Sequence, residues 1–263
     1  MNVELKNISF SYNSKKTVLK NVSLIIKEGE SVAIIGRNGT GKTTLVKQLN
    51  GILRPTCGDI LYNGESIIKK TTAQLASKVG YVFQNPDDQL FLSTVKKELE
   101  FGPNQIKMDK QKAQYCIKKA VELCSLSKYL ESHPLDLGTS EKKFCTIASV
   151  LSMDPMMVIF DEPTMGQDRK GIERLGKIIK FLEEQGKTCI IISHDMKFVI
   201  KYFKRIIVMK DGEVLLDGTP KEVFSQPEIL KDSFVIPPPI TRVCQKCNIG
   251  NDIFTIEEFK EQL

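Results

Sequence analysis

The residues best suited to do chemistry form one run: Gly36, Arg37, Asn38, Gly39, Thr40, Gly41, Lys42 and Thr43, with Thr44 directly behind it. A Gly-x-x-x-x-Gly-Lys-Thr run is a phosphate-binding loop when a strand leads into it and a helix leaves it, and SVAII and TLVKQL supply both. The glycines let backbone N–H groups turn inward and approach phosphates closely, and the helix start adds its partial positive charge. Lys42 then reaches the β- and γ-phosphates, and Thr43 offers its hydroxyl to Mg²⁺. The second constellation is MVIFDEP at 157–163, where an apolar strand delivers Asp161 and Glu162 at its C-terminal end. Open α/β sheets bind ligands at that end. Asp161 is the candidate to hold Mg²⁺, directly or through water, and Glu162 the candidate general base for an attacking water. An acidic pair after a strand is by itself more often a helix cap or turn. Beside a phosphate loop it reads as catalytic.

These groups must be positioned by the elements around them. VELKNISFSY, VSLIIK and SVAIIG are short, β-branched and apolar, so residues 1–35 read as strands. A helix follows from Gly41 towards Asn50, then a hairpin over GDILYNGE and a buried strand at VGYVFQ. Residues 94–152 read as helical. In one part of that stretch Ala113, Cys116, Ile117, Ala120, Val121 and Cys124 recur at helical spacing. MMVIF, a helix from Gln167 to Glu184, and TCIIIS then alternate as strand, helix and strand, the pattern of a parallel sheet. RIIVMKDGEVLLDG is a late hairpin with an Asp-Gly turn. The prolines of IPPPI at 236–240 mark a break, and a short tail with a terminal helix follows.

Of the 263 residues, 41% are hydrophobic and 27% charged, which suits a chain that buries a real core. The net charge of +6 is spread over 38 basic and 32 acidic side chains, so it points to a solvated surface and not to nucleic acid. No apolar stretch approaches the roughly 20 residues that span a bilayer, so a membrane role would come through a partner. MNVELKNISF has no long apolar run, and no secretory leader is read there. The seven cysteines are then expected to be reduced, most of them as small core side chains. Cys244 and Cys247 form one CxxC without a second pair nearby, which argues against zinc.

The two constellations, in this order and with the residues between them, resemble the ATPase family of ABC transporters, over nearly the whole chain. The resemblance implies an α/β fold of the P-loop NTPase type. Its parts are a RecA-like mixed sheet, an antiparallel β subdomain, an inserted helical subdomain at about 92–152 and a short tail. The nucleotide-binding domain would be 1–235 and the C-terminal extension, with a dimer contact, 236–263. The resemblance also implies ATP and Mg²⁺ as ligands. It places Gln84 of GYVFQ as the glutamine that touches Mg²⁺ and water, and His194 of IIISHD as the contact to the γ-phosphate. Tyr12 stands at the position that stacks on adenine, and Asp168 at a dimer contact. For Tyr12, a packed strand tyrosine remains the alternative.

One stretch departs from the family. A Leu-Ser-Gly-Gly-Gln signature closes over the ATP held by the other subunit of a head-to-tail pair. The aligned residues here are Leu137, Gly138, Thr139, Ser140 and Glu141, ahead of a helix over KKFCTIASVLSM. Gly138 has no hydroxyl, Thr139 and Ser140 add Cβ atoms, and Glu141 brings a negative charge towards a phosphate. Contacts weakened by about 1–3 kcal/mol are expected. The expectation is a heterodimer with a second ATPase whose signature is intact. The stretch QNPDDQLF and the tail's PPPITRVCQKC are similar to the ATPases of energy-coupling factor transporters, importers of vitamins and transition-metal ions. That implies a transmembrane coupling protein, a substrate-capturing membrane protein, and a peripheral place on the cytoplasmic face of the membrane. Asp87 and Asp88 become candidate partners for the coupling protein's arginines, with a solvated acidic turn as the alternative. Three other readings stay open: an ATP-binding regulatory subunit with little hydrolysis, an ATPase of another ABC transporter type, and a soluble ATPase of the same class without a membrane partner.

Overall fold

The computed structural model describes residues 1–12, 16–247 and 249–261. In chain order the elements are β1 (Val3–Ser11), β2 (Thr17–Ile26), β3 (Ser31–Ile35), α1 (Lys42–Leu49), β4 (Cys57–Tyr62), β5 (Glu65–Ser66), α2 (Thr72–Ala76) and β6 (Val79–Val82). Then come α3 (Val95–Gln105), α4 (Lys110–Cys124), α5 (Thr139–Leu151), β7 (Met157–Asp161), α6 (Arg169–Glu184), β8 (Thr188–Ile192) and α7 (Met196–Tyr202). The chain ends with β9 (Arg205–Lys210), β10 (Glu213–Gly218), α8 (Pro220–Phe224), α9 (Pro227–Asp232), α10 (Pro239–Lys246) and α11 (Ile256–Lys260).

The larger sheet has the order β10-β9-β3-β8-β7-β6. Its strands are parallel except for β10, which pairs antiparallel with β9 at one edge. SVAII, MVIFD and TCIII are buried at every position, as continuous apolar runs in a two-sided parallel sheet should be. Alternate residues feed separate cores. Ala33, Ile35, Val158 and Phe160 join helices α3 to α6, whereas Val32, Ile34, Met157 and Ile159 join α1 and the smaller sheet. Each fully buried Ile or Val stabilises this packing by roughly 1.5–3 kcal/mol.

The smaller sheet, β2-β1-β4-β5, is antiparallel. Val3, Leu5, Ile8 and Phe10 point inward, and the alternation skips between Leu5 and Ile8 because the register shifts there, with Asn7 at φ +51°. Two of the hairpins turn on left-handed pairs, Asn63-Gly64 between β4 and β5 and Asp211-Gly212 between β9 and β10. Such pairs match the twist of the flanking strands.

The helical expectation for 94–152 needs correction in two places: residues 106–109 leave the helix between α3 and α4, with Lys107 at φ +52°, and a longer break follows α4. α4 stops at Ser125, which takes φ +56°, and residues 125–138 follow as loop with two single 3₁₀ turns, at Ser127–Tyr129 and Pro134–Asp136. α5 also starts earlier than its apolar run suggests. Gly138 is its N-cap and Thr139, Ser140 and Glu141 are its first turn. The triple proline does not merely interrupt. Pro239 opens α10, where a missing N–H costs nothing. α10 is tied to the following loop by Thr241 Oγ1, which donates to the Ile253 carbonyl at 2.6 Å, and Phe254 packs on Phe224 of α8. Residues 262–263 of the expected tail lie outside the described residues.

Candidate active site

The phosphate loop links β3 to α1. Gly36 has φ +141°, and a Cβ there would stand 2.2 Å from the Met209 carbonyl oxygen on β9. Gly41, the N-cap of α1, has φ +99° and would meet Leu19 Cδ2 at 2.8 Å. Neither position tolerates a side chain, which is why the loop needs these glycines. Lys42 Nζ donates to the carbonyls of Gly36 (2.7 Å) and Arg37 (2.9 Å), inside the loop that it serves. Burial lowers its pKa, with Glu162 and then Asp161 acting the other way.

β7 brings the carboxylates to the same sheet end. Asp161 accepts from Thr43 Oγ1 at 3.4 Å on one oxygen and from the Tyr81 hydroxyl at 2.7 Å on the other. Glu162 takes φ +48°, a strained conformation for a residue with a side chain, and its N–H donates to the Ile192 carbonyl at 2.9 Å. Its carboxylate accepts the His194 backbone N–H at 3.3 Å and lies 3.2 Å from His194 Nε2. Burial pushes the Glu162 carboxyl up to about 7, against the His194 N–H and Lys42, which pull it down. His194 Nε2 also lies 2.9 Å from Asn38 Oδ1 of the loop. Asn38 Oδ1 and an ionised Glu162 carboxylate are both acceptors, and the two contacts are satisfied together when Nε2 carries the proton. Burial, then the Lys42 ammonium, lowers the His194 pKa and favours neutral imidazole.

One cleft of about 620 Å³ is lined by Asn38, Lys42, Thr43, Glu162 and His194, among others. That is the size of a small-molecule site. Tyr12 and Gln84 line it as well. Tyr12 stands 61% exposed, its hydroxyl 3.1 Å from Thr44 Oγ1 and its ring edge-on to Phe10. Two contributors escaped the sequence reading. Tyr81 holds Asp161, and the pairing of β6 with β7 sets that contact. Lys143 of α5 is 3% exposed, and its ammonium donates to the carbonyls of Phe83 (3.1 Å) and Gln84. Burial pushes its pKa down to about 8, while Asp161 and Glu162 raise it. A signal existed: Lys143 sits four residues before Ile147, on the apolar face of its helix.

Other candidates lie outside the cleft. Arg37 places its guanidinium 4.6 Å from the Phe234 ring. Ser140 Oγ donates to Gln167 Oε1 at 2.8 Å, and Glu141 turns its carboxylate back towards Gly138, where a Cβ would be 2.6 Å from it. Leu137 is buried. Asp168 caps α6, accepting the Gly171 N–H at 2.7 Å. Asp87 pairs with Lys142 at 3.1 Å, and Asp88 is exposed beside it in the 3₁₀ turn Pro86–Asp88. In α10 Cys244 is buried and Cys247 exposed.

Residues 19–165 match the family model for ABC transporters. The chain is 37% identical over 268 residues to the energy-coupling factor transporter ATP-binding protein EcfA of Methanocaldococcus jannaschii, covering 99% of this chain and 96% of that protein. It is 38% identical over 277 residues to EcfA2 of Clostridium perfringens, covering 100% and 97%. A putative ABC transporter ATP-binding protein of Methanosarcina mazei is 43% identical over 236 residues, and there the match spans 90% of this chain but only 40% of the longer relative. Among solved structures, cbiO1 from Clostridium perfringens, described as part of the ABC transporter complex cbiONQ, has a TM-score of 0.78 at 33% identity, covering 94% of this chain and 98% of that one. A dimeric ATP-binding cassette in a post-hydrolysis state, bound to ADP and Pi, has a TM-score of 0.75 at 29% identity over 82% and 98%. The phosphate loop, the carboxylate pair and His194 therefore meet in a fold shared with these cassettes, and the chain belongs to the ABC transporter family.

Proposed function

We propose that this chain hydrolyses ATP to drive an energy-coupling factor type importer of vitamins or transition-metal ions, paired with a second, non-identical ATPase. The observation that carries the reading is the meeting of Lys42, Asp161, Glu162 and His194 in one cleft. The full-length similarity to two energy-coupling factor ATPases supports the transporter type. No described helix is long and apolar enough to cross a membrane, so a membrane-embedded partner would carry the cargo.

Each residue has a part. The loop N–H groups and Lys42 hold the β- and γ-phosphates, and Tyr12 offers its exposed ring to adenine. Glu162, poised near neutrality, takes a proton from the attacking water. His194 turns its Nε2–H towards the γ-phosphate. The hydroxyl of Thr43, the carboxylate of Asp161 and the amide oxygen of Gln84 are hard oxygen donors that fit Mg²⁺. When bound, the ion would neutralise charge on the transferring phosphoryl group. Catalysis on this reading is positioning and charge stabilisation. Arg37 and Gly39 complete the loop, and Asp87 and Asp88 face the coupling protein.

The altered first turn of α5 favours a second reading, a regulatory subunit that binds ATP and turns it over slowly. Intact-mass analysis of the complex recovered with this tagged chain from its native membranes, with ATPase rates, separates the two. A second ATPase with one or two hydrophobic subunits, and brisk hydrolysis, is the expected result. Recovery of a slow self-dimer would favour the regulatory reading.

A further inference from the structure

The loop from Phe83 to Leu92 is fastened at both ends, and the fastenings come from different helices. At its far end Glu98 of α3, only 4% exposed, accepts the N–H groups of Phe91 and Leu92, each at 2.5 Å. At its near end Lys143 of α5 donates to the carbonyls of Phe83 and Gln84, and the neighbouring Lys142 pairs with Asp87 at 3.1 Å. Gln89 Oε1 accepts the Phe83 N–H at 3.0 Å and closes the loop on itself.

A lysine this deeply buried is costly unless its donors are used. Among the described residues, Lys143 has no carboxylate within ion-pair distance. It spends its donors on two backbone carbonyls, one of them belonging to Gln84. Backbone carbonyls have no side chain that could swing away, so such a bond fixes where the main chain runs. Lys142 and Lys143 also follow directly on Thr139, Ser140 and Glu141, the altered first turn of α5. Any shift of that turn moves both ammonium groups.

We propose that Lys142 and Lys143 form a two-point clamp through which the loop carrying Gln84 moves with α5. Lys143 is the positioning residue of the pair, and the half-buried Lys142, with its exposed partner Asp87, is the outer rung. The clamp rests on the function proposed above for its consequence: engagement of the signature turn by a partner sets the place of Gln84 in the cleft. Its geometry does not depend on that function.

The test is hydrogen–deuterium exchange over residues 84–92 in the full chain without nucleotide, with ATP affinity and turnover measured in parallel. Lys143→Met is expected to speed exchange in this segment by about tenfold. It should leave the ATP Kd within about threefold and lower kcat by about tenfold, a split that general destabilisation would not give. Lys143→Arg, which keeps charge and donors, should restore at least half of the protection. Unchanged exchange in Lys143→Met, or an Arg variant no better than Met, overturns the clamp. Should Lys143→Met fail to fold, Lys142→Ala and Asp87→Ala probe the outer rung: each should speed exchange by about threefold, and the double variant no further. Additive effects overturn the pairing. A wild-type chain that neither binds nor hydrolyses ATP would overturn the proposed function, while the nucleotide-free exchange result would still decide the clamp.

Discussion

Glu162 combines a left-handed backbone, a carboxyl pushed up to about 7 and a histidine beside it. Replacing it by Gln should lower turnover by about a hundredfold or more while ATP still binds, as single-turnover rates and a nucleotide titration would show. Burial raises this carboxyl above its unfolded value of 4.5, so the protonated form is favoured in the fold. The fold therefore loses stability as pH rises from 4.5 to 7. Above that window Glu162→Gln should be more stable than the parent by about 1–3 kcal/mol, and the gap should close by pH 5. Urea unfolding of metal-free and nucleotide-free protein at pH 8 and pH 5 measures it; equal gaps at both would remove the burial argument. Tyr81→Phe deletes the 2.7 Å bond to Asp161. The loss of about 1–2 kcal/mol should appear as a several-fold rise in the Mg²⁺ needed for half-maximal ATPase activity. At this scale the phosphate loop and the Asp-Glu pair were legible because their chemistry depends on residue type at short, fixed spacing. Tyr81 was not, because its partner lies 80 positions away and only the pairing of β6 with β7 brings them together.

Among the elements, α5 was read least well. Its apolar face from Phe144 to Leu151 was plain, but its start was hidden inside a stretch judged by family pattern. Thr139, Ser140 and Glu141 make a sound first helical turn whatever their worth as phosphate ligands, and a carboxylate there suits the positive end of the helix. That gives Glu141 two opposed effects. Glu141→Gln should cost stability by about 0.3–1 kcal/mol through the lost helix-end attraction. It should also raise turnover at the site closed by this turn, because a negative charge leaves the neighbourhood of a phosphate. Thermal unfolding and steady-state ATPase of the same preparation check both signs, and a variant that is stabilised and slower would contradict the argument. The hairpins were easy by comparison: Asn63-Gly64 and Asp211-Gly212 announce their own turns.

For the whole molecule, the smaller sheet closes over α1 where Tyr12, just past β1, brings its hydroxyl within 3.1 Å of Thr44 Oγ1. No local pattern could announce that contact, because it follows from packing the smaller sheet against the larger. The same logic governs the pair of subunits proposed here. The cleft on this chain holds its own phosphate loop, Glu162 and His194, so a partner's intact signature would complete it. The altered turn at Gly138–Glu141 would complete the partner's cleft instead. The two sites of a heterodimer are then unequal, and the inequality has a direction. Glu162→Gln in this chain should abolish most of the ATPase activity and transport of the assembled complex, by about a hundredfold. The matching carboxylate substitution in the partner should lower them only several-fold, while its site keeps ATP bound. Equal losses from the two substitutions would mean that the altered turn serves as well as an intact one, and that the asymmetry proposed from Gly138 and Glu141 is absent. The reverse order, with the partner's carboxylate carrying the activity, would make this chain the regulatory member of the pair.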